Sequence, residues 1–119
     1  MTKVSRAHVR ASDAYLKDAN SHAQSERGRY DCALDSGYLA LLSVLTADER
    51  DVADHPSERA VRLAAYRLKV DVADSLRLLR SRHSAEVSPS VSVALGWAQA
   101  VRKRVLEMES LNSPNGQAD

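Results

Sequence analysis

Residues 57–86 read SERAVRLAAYRLKVDVADSLRLLRSRHSAE, and their pattern decides the fold. Apolar side chains recur at Val61, Ala65, Leu68, Val72, Leu76 and Leu79, and the next place in the row is His83. The steps are all fours and threes, which keeps every member on one face of a helix. No Gly or Pro falls between Pro56 and Pro89. The stretch therefore predicts one amphipathic helix over 57–86, about 45 Å long at about 1.5 Å per residue. A bend near Lys69–Asp71 is open to the chain, but the unbroken phase argues against a large one.

The flanking sequence predicts three more helices. The first covers about 5–27, with an alanine-rich stripe at Ala7, Ala11, Ala14, Tyr15, Ala19 and Ala23, and Gly28 supplies a left-handed stop. The second, about 29–46, carries Tyr30, Leu34, Tyr38, Leu41 and Leu45 on one face, widened by Ala33, Leu42 and Val44. It is the most buried of the four. TADERDVADHPSE is polar and reads as a loop, with Pro56 placed to begin the third helix. Ser88-Pro89 reads as an N-cap and first-turn proline for a fourth helix over about 89–110, whose face is Val91, Ala94, Ala98, Val101, Val105 and Met108. The expected fold is all-α: an antiparallel four-helix bundle forming one domain over 1–111, with a disordered tail at 112–119. The third helix, about 45 Å, would overhang the second, about 27 Å. That overhang argues for a homodimer.

Composition agrees with a helical interior. Of 119 residues 44% are apolar, with no Phe, one Trp and four Tyr, so Ala, Leu and Val must fill the core. The net charge of +1 gives no global basic field for nucleic acid. The cations are nearly all arginine, with Lys only at 3, 17, 69 and 103. Arginine suits phosphate because its planar fork bonds two oxygens at once, although GC-rich codon usage produces the same excess. Cys32 stands alone, which fits a reducing, cytoplasmic setting. No apolar run approaches the roughly 20 residues that span a bilayer. The start, MTKVSRAHVRASD, lacks the apolar stretch of a signal peptide.

The chemistry concentrates where the apolar row ends. His83 has Arg80 three residues before it and Glu86 three after, within side-chain reach on a helix. An imidazole there can act as a base near neutral pH, and the guanidinium can hold a phosphate. Arg77 lies about 120° around the helix from His83. Arg80, Arg82, Glu86 and Tyr38 are the ligand-binding candidates. Alternatively, His83 only finishes the core stripe near a helix C-terminus, where a cationic ring suits the helix dipole. Arg50, Asp51 and His55 form a second candidate group, which also reads as a solvated connector. Tyr30 and Tyr38 share an inner face, where aromatics are usually core. Trp97 suits an interface or the core equally. His8 and His22 are too far apart for an i,i+4 metal pair. There is no Gly-rich phosphate loop, no Ser/His/Asp signature and no Cys/His zinc pattern, so no metal or cofactor is expected.

The segment RGRYDCALDSGYLALLSVL, Arg27–Leu45, resembles the second helix of HEPN domains, the small helical domains named from higher eukaryotes and prokaryotes nucleotide-binding. LRLLRSRHSAEV, Leu76–Val87, resembles the arginine-rich part of a later helix in that family. The likeness implies an antiparallel helical bundle, often dimeric. It implies either a non-catalytic module that pairs with a nucleotidyltransferase-type partner or binds RNA or a nucleotide, or a metal-independent ribonuclease of toxin–antitoxin or defence type. The ribonuclease members carry an Arg, then a polar residue, then a His four to six residues on. Arg77 and His83 match that spacing, with Leu78 where a polar residue is expected; Arg80 precedes Ser81 but stands only three positions before His83. The resemblance favours a binding or interaction module, with the ribonuclease and a purely structural bundle as alternatives.

Overall fold

The computed structural model describes residues 3–50, 57–82 and 90–112. Among these the chain is all-helical: α1 Arg6–Ala19, α2 Glu26–Leu42, α3 Ala47–Arg50, α4 Glu58–Leu68, α5 Val72–Ser81 and α6 Val91–Asn112. The expected four helices are therefore six among the described residues. The predicted tail from 113 onward, Pro56 and Ser88-Pro89 lie outside them.

The first helix stops well before residue 27. The Asn20 side chain donates to the Leu16 carbonyl at 3.0 Å and closes α1. Ser25 then caps α2 by accepting the Gly28 N–H at 3.0 Å. Gly28 thus sits in the first turn of α2 and is not a left-handed stop. α1 and α2 run antiparallel, as three contacts record. The Ser5 N–H donates to the Ser43 carbonyl at 2.7 Å, Ser12 meets Ser36, and Arg29 Nε donates to the Ala19 carbonyl at 2.9 Å. Most of the alanine stripe is not the inner face of α1: Ala7, Ala14 and Tyr15 are exposed and Ala11 is half-buried, so that Ala19 alone of its members in α1 is buried, beside Val9 and Ser12. A serine can take the inner position because its hydroxyl has a partner. Ser12 Oγ donates to the Ser36 carbonyl at 2.7 Å, and Ser36 Oγ donates to the Ser12 carbonyl at 2.8 Å.

The single rod over 57–86 does not form. α4 is capped by Ser57, whose hydroxyl accepts the Ala60 N–H at 3.3 Å. It ends at Lys69, which takes a left-handed conformation with φ 58° and ψ 38°. The Val70 N–H returns to the Ala65 carbonyl at 3.0 Å, a Schellman-type stop built without glycine. Asp71 then caps α5, accepting the Asp74 N–H at 2.8 Å. The chain reverses, and Glu58 at the start of α4 pairs with Arg80 at the end of α5. The row is folded in half into a helical hairpin.

The reason is burial. α2 is about 26 Å long, so a straight partner of 45 Å would leave half its apolar row uncovered. Folding back keeps Val61, Ala65, Leu68, Leu76 and Leu79 buried. Each such Val or Leu contributes about 1.5–3 kcal/mol, against about 1–2 kcal/mol for one left-handed lysine. The overhang that argues for a covering second copy is consequently absent.

α2 is the central helix. It buries Tyr30, Ala33, Leu34, Ser36, Gly37, Ala40, Leu41 and Leu42 and packs against α1, α4, α5 and α6. α6 lays Ala94, Ala98, Val101 and Val105 on the core, the face expected of the fourth helix. Arg6 pairs with Glu109 at 3.3 Å and Arg102 with Asp13, so α6 runs antiparallel to α1 and in the same sense as α2. The described start of the predicted loop forms a helical turn, α3. Its start is a capping box: Glu49 accepts the Thr46 N–H at 2.8 Å, and Thr46 accepts the Glu49 N–H at 3.2 Å.

Candidate functional site

The hairpin brings three guanidinium groups to one cleft. Glu58 and Arg62 are four apart on the outer face of α4, and Arg77 and Arg80 are three apart on α5. Folding α5 back places Arg80 beside Glu58. One carboxylate then serves two arginines: Arg62 Nε meets Glu58 Oε2 at 3.0 Å, and Arg80 Nη2 meets Oε1. The bonds from Arg62 and then Arg80 hold the Glu58 carboxyl below its usual range. Arg77 pairs with Asp74 at 3.3 Å. The cleft has a volume of about 790 Å³, with Val72, Ala73 and Leu76 as its apolar side and Arg62, Arg77 and Arg80 as its polar side.

Two hydroxyls also line it, but their protons are committed. Ser81 Oγ donates to the Leu78 carbonyl at 2.6 Å, and the Tyr30 hydroxyl bonds Ser81 Oγ. Tyr30 supplies a fixed phenyl wall, with Arg27 above its ring at 5.7 Å.

The other candidate residues have different tasks. Arg82 does not line the cleft: it pairs with Asp35 on α2, and its carbonyl accepts from Arg27. The bond to Asp35 pushes the Arg82 guanidinium up from its ordinary value. Tyr38 lies elsewhere too, accepting the Ser57 N–H at 3.1 Å where α4 begins. Burial pushes its phenol up. Arg50 donates to the Leu42 and Leu45 carbonyls at 3.3 and 2.8 Å and closes the C-terminal end of α2. His83, Glu86, Asp51 and His55 lie outside the described residues, so only the arginines of the His83-centred group are in view. Among the described residues no cluster of His, Cys, Asp or Glu could hold a metal ion. No described helix is long and apolar enough to cross a membrane.

No family model, curated protein or solved structure matches this chain.

The cleft's own chemistry is therefore the guide. Among the described residues three arginines lie beside two carboxylates, Glu58 and Asp74, a surplus of one positive charge. These ion pairs are solvent-exposed and individually weak, so an anion can compete for the same N–H groups. Guanidinium has no proton to give near neutral pH, and Glu58 is held ionised. The described groups of the cleft are hydrogen-bond donors and ionised carboxylates. Arg62 is the member that sequence reading missed. Its only signal was the i,i+4 pairing with Glu58, which reads as ordinary surface charge until the hairpin brings Arg80 to the same carboxylate.

Proposed function

We propose that this chain is a helical binding module, HEPN-like in its α1–α2 pair and Tyr/Ala/Leu-rich α2, that holds phosphate groups of RNA or a nucleotide. The observation that carries the reading is the convergence of Arg62, Arg77 and Arg80 on one open cleft with a single carboxylate shared between two of them. Phosphate fits better than a lone carboxylate ligand. It offers several oxygens to forked donors that approach from two helices. The apolar side of the cleft gives an attached sugar or base a surface to rest on.

Fluorescence anisotropy with a labelled single-stranded RNA and a labelled nucleotide, each at several salt concentrations, tests this. Binding should weaken with salt, with log K falling at a slope of about −0.7 for each phosphate neutralised. Replacing Arg62, Arg77 and Arg80 together by Ala should abolish it without changing helicity by circular dichroism. Binding that ignores salt, or that survives the triple substitution, overturns the proposal.

A further inference from the structure

Helix α5 has a cleft on either side, and Arg77 lines both. The second lies between α6 and the Lys69–Asp71 reversal, with a volume of about 540 Å³. That is within the roughly 300–1,000 Å³ of small-molecule sites. Its apolar wall comes from Leu78, Val101 and Trp97. The indole is fixed in place: its six-membered ring fills the space above Gly37, and Nε1 donates to Ser75 Oγ at 2.9 Å. A rigid aromatic surface loses little entropy when a ring packs on it.

The rim carries Lys69, Arg77, Lys103 and Arg104. Arg77 and Arg104 each hold a carboxylate, Asp74 at 3.3 Å and Glu107 at 2.8 Å. The third carboxylate, Asp71, is spent on capping α5. Lys69 and Lys103 have no carboxylate partner among the described residues. Lys69 is moreover the one described non-glycine residue at positive φ, so the turn fixes its backbone beside the cleft.

We infer that this cleft binds a small aromatic anion, a ring bearing a carboxylate, sulfonate or phosphate. The ring packs against Trp97, Leu78 and Val101, and the acid group is met by the ammonium groups of Lys69 and Lys103. Charge complementarity selects this occupant over a neutral hydrophobe, and the cleft volume selects a small molecule over a helix. The inference does not rest on the phosphate reading of the arginine cleft.

Trp97 is the chain's single tryptophan, so one donor lining this cleft gives the signal, and the lysine and arginine variants assign it to this cleft or to the other. The probes are 1-anilinonaphthalene-8-sulfonate and its uncharged analogue N-phenyl-1-naphthylamine. The sulfonate should quench Trp97 by energy transfer and bind more tightly than the neutral compound. Lys69→Gly and Lys103→Gln should each weaken the sulfonate about three-fold and together about ten-fold, leaving the neutral compound unchanged. Lys69→Gly suits the left-handed position, so loss of binding there is not loss of fold. The Arg62/Arg80→Ala pair should bind the sulfonate normally. Equal affinity for both probes, an unaffected double lysine variant, or sulfonate binding lost in the Arg62/Arg80 variant overturns the inference. So does a concentration-dependent Trp97 change that light scattering traces to a second copy filling the cleft.

Discussion

The indole of Trp97 occupies the space that a side chain at Gly37 would need: a Cβ there would stand 2.1 Å from Cζ3. This contact lets α6 lie close against α2. Alanine is favoured over glycine inside a helix by about 1 kcal/mol, yet here the clash decides the sign. The ring is held by Ser75 and cannot simply swing away. Gly37→Ala should destabilise the protein by about 1–3 kcal/mol in urea denaturation. Trp97 emission should shift to the red as the ring is displaced. A variant as stable as the parent would show that the two helices are not in this contact.

Lys69 gives the opposite expectation. A non-glycine residue in the left-handed region costs about 1–2 kcal/mol, part of which glycine returns as unfolded-state entropy. Lys69→Gly should raise stability by about 0.5–1 kcal/mol, and Lys69→Val should lower it. Thermal unfolding of the pair checks both signs.

The same residue explains what could be read in advance. Most inward residues of the row were legible: Val61, Ala65, Leu68, Leu76 and Leu79 are buried although the chain folds back, and of the row from Val61 to Leu79 only Val72 is left half-buried, at the cleft. The reversal was not, because phase is preserved across Lys69 and neither Gly nor Pro marks the turn. The sole mark is Asp71 three residues before Asp74, a cap signature hidden inside a helical pattern. The arginine cleft depends on that reversal. Arg77 and Arg80 stand out in sequence, whereas Arg62 joins them only through the hairpin, and Arg82 and Tyr38 are taken up by Asp35 and Ser57.

On α1 the alanine pattern misled, since a buried serine pair holds the helix to α2. Ser12→Ala removes the hydroxyl that serves the Ser36 carbonyl. It should cost about 1 kcal/mol, and Ser12→Val more, because the site must also accept added volume. A double-mutant cycle with Ser36→Ala should give a coupling above about 0.5 kcal/mol. Simple additivity would mean that the two serines act independently.

The Thr46–Glu49 turn should make stability depend on acid. Arg67 grips both Glu49 oxygens at 2.7 Å, and the Thr46 N–H adds a third bond. Led by the Arg67 bond, these push the Glu49 carboxyl down to about 2 from 4.5. A depressed acid stabilises the fold above its unfolded value and loses that contribution as pH falls through its folded value. The melting temperature of the parent should therefore exceed that of Glu49→Gln at pH 7. The gap should close between about pH 4.5 and 2. A gap that persists at pH 2 would place the stabilisation elsewhere.

Glu58 offers a gain-of-binding experiment at the arginine cleft. Its carboxylate is the ligand's competitor, occupying one donor each from Arg62 and Arg80. Glu58→Gln keeps the shape, removes the charge and raises the surplus at the cleft from one to two. Single-stranded RNA should bind about three- to ten-fold more tightly at low salt, and the slope of log K against log salt should steepen by about 0.7. The opposite result, weaker binding with an unchanged slope, would mean that Glu58 is needed to hold the two guanidinium groups in place. Arginines left to spread apart would then be a poorer phosphate site than arginines partly neutralised.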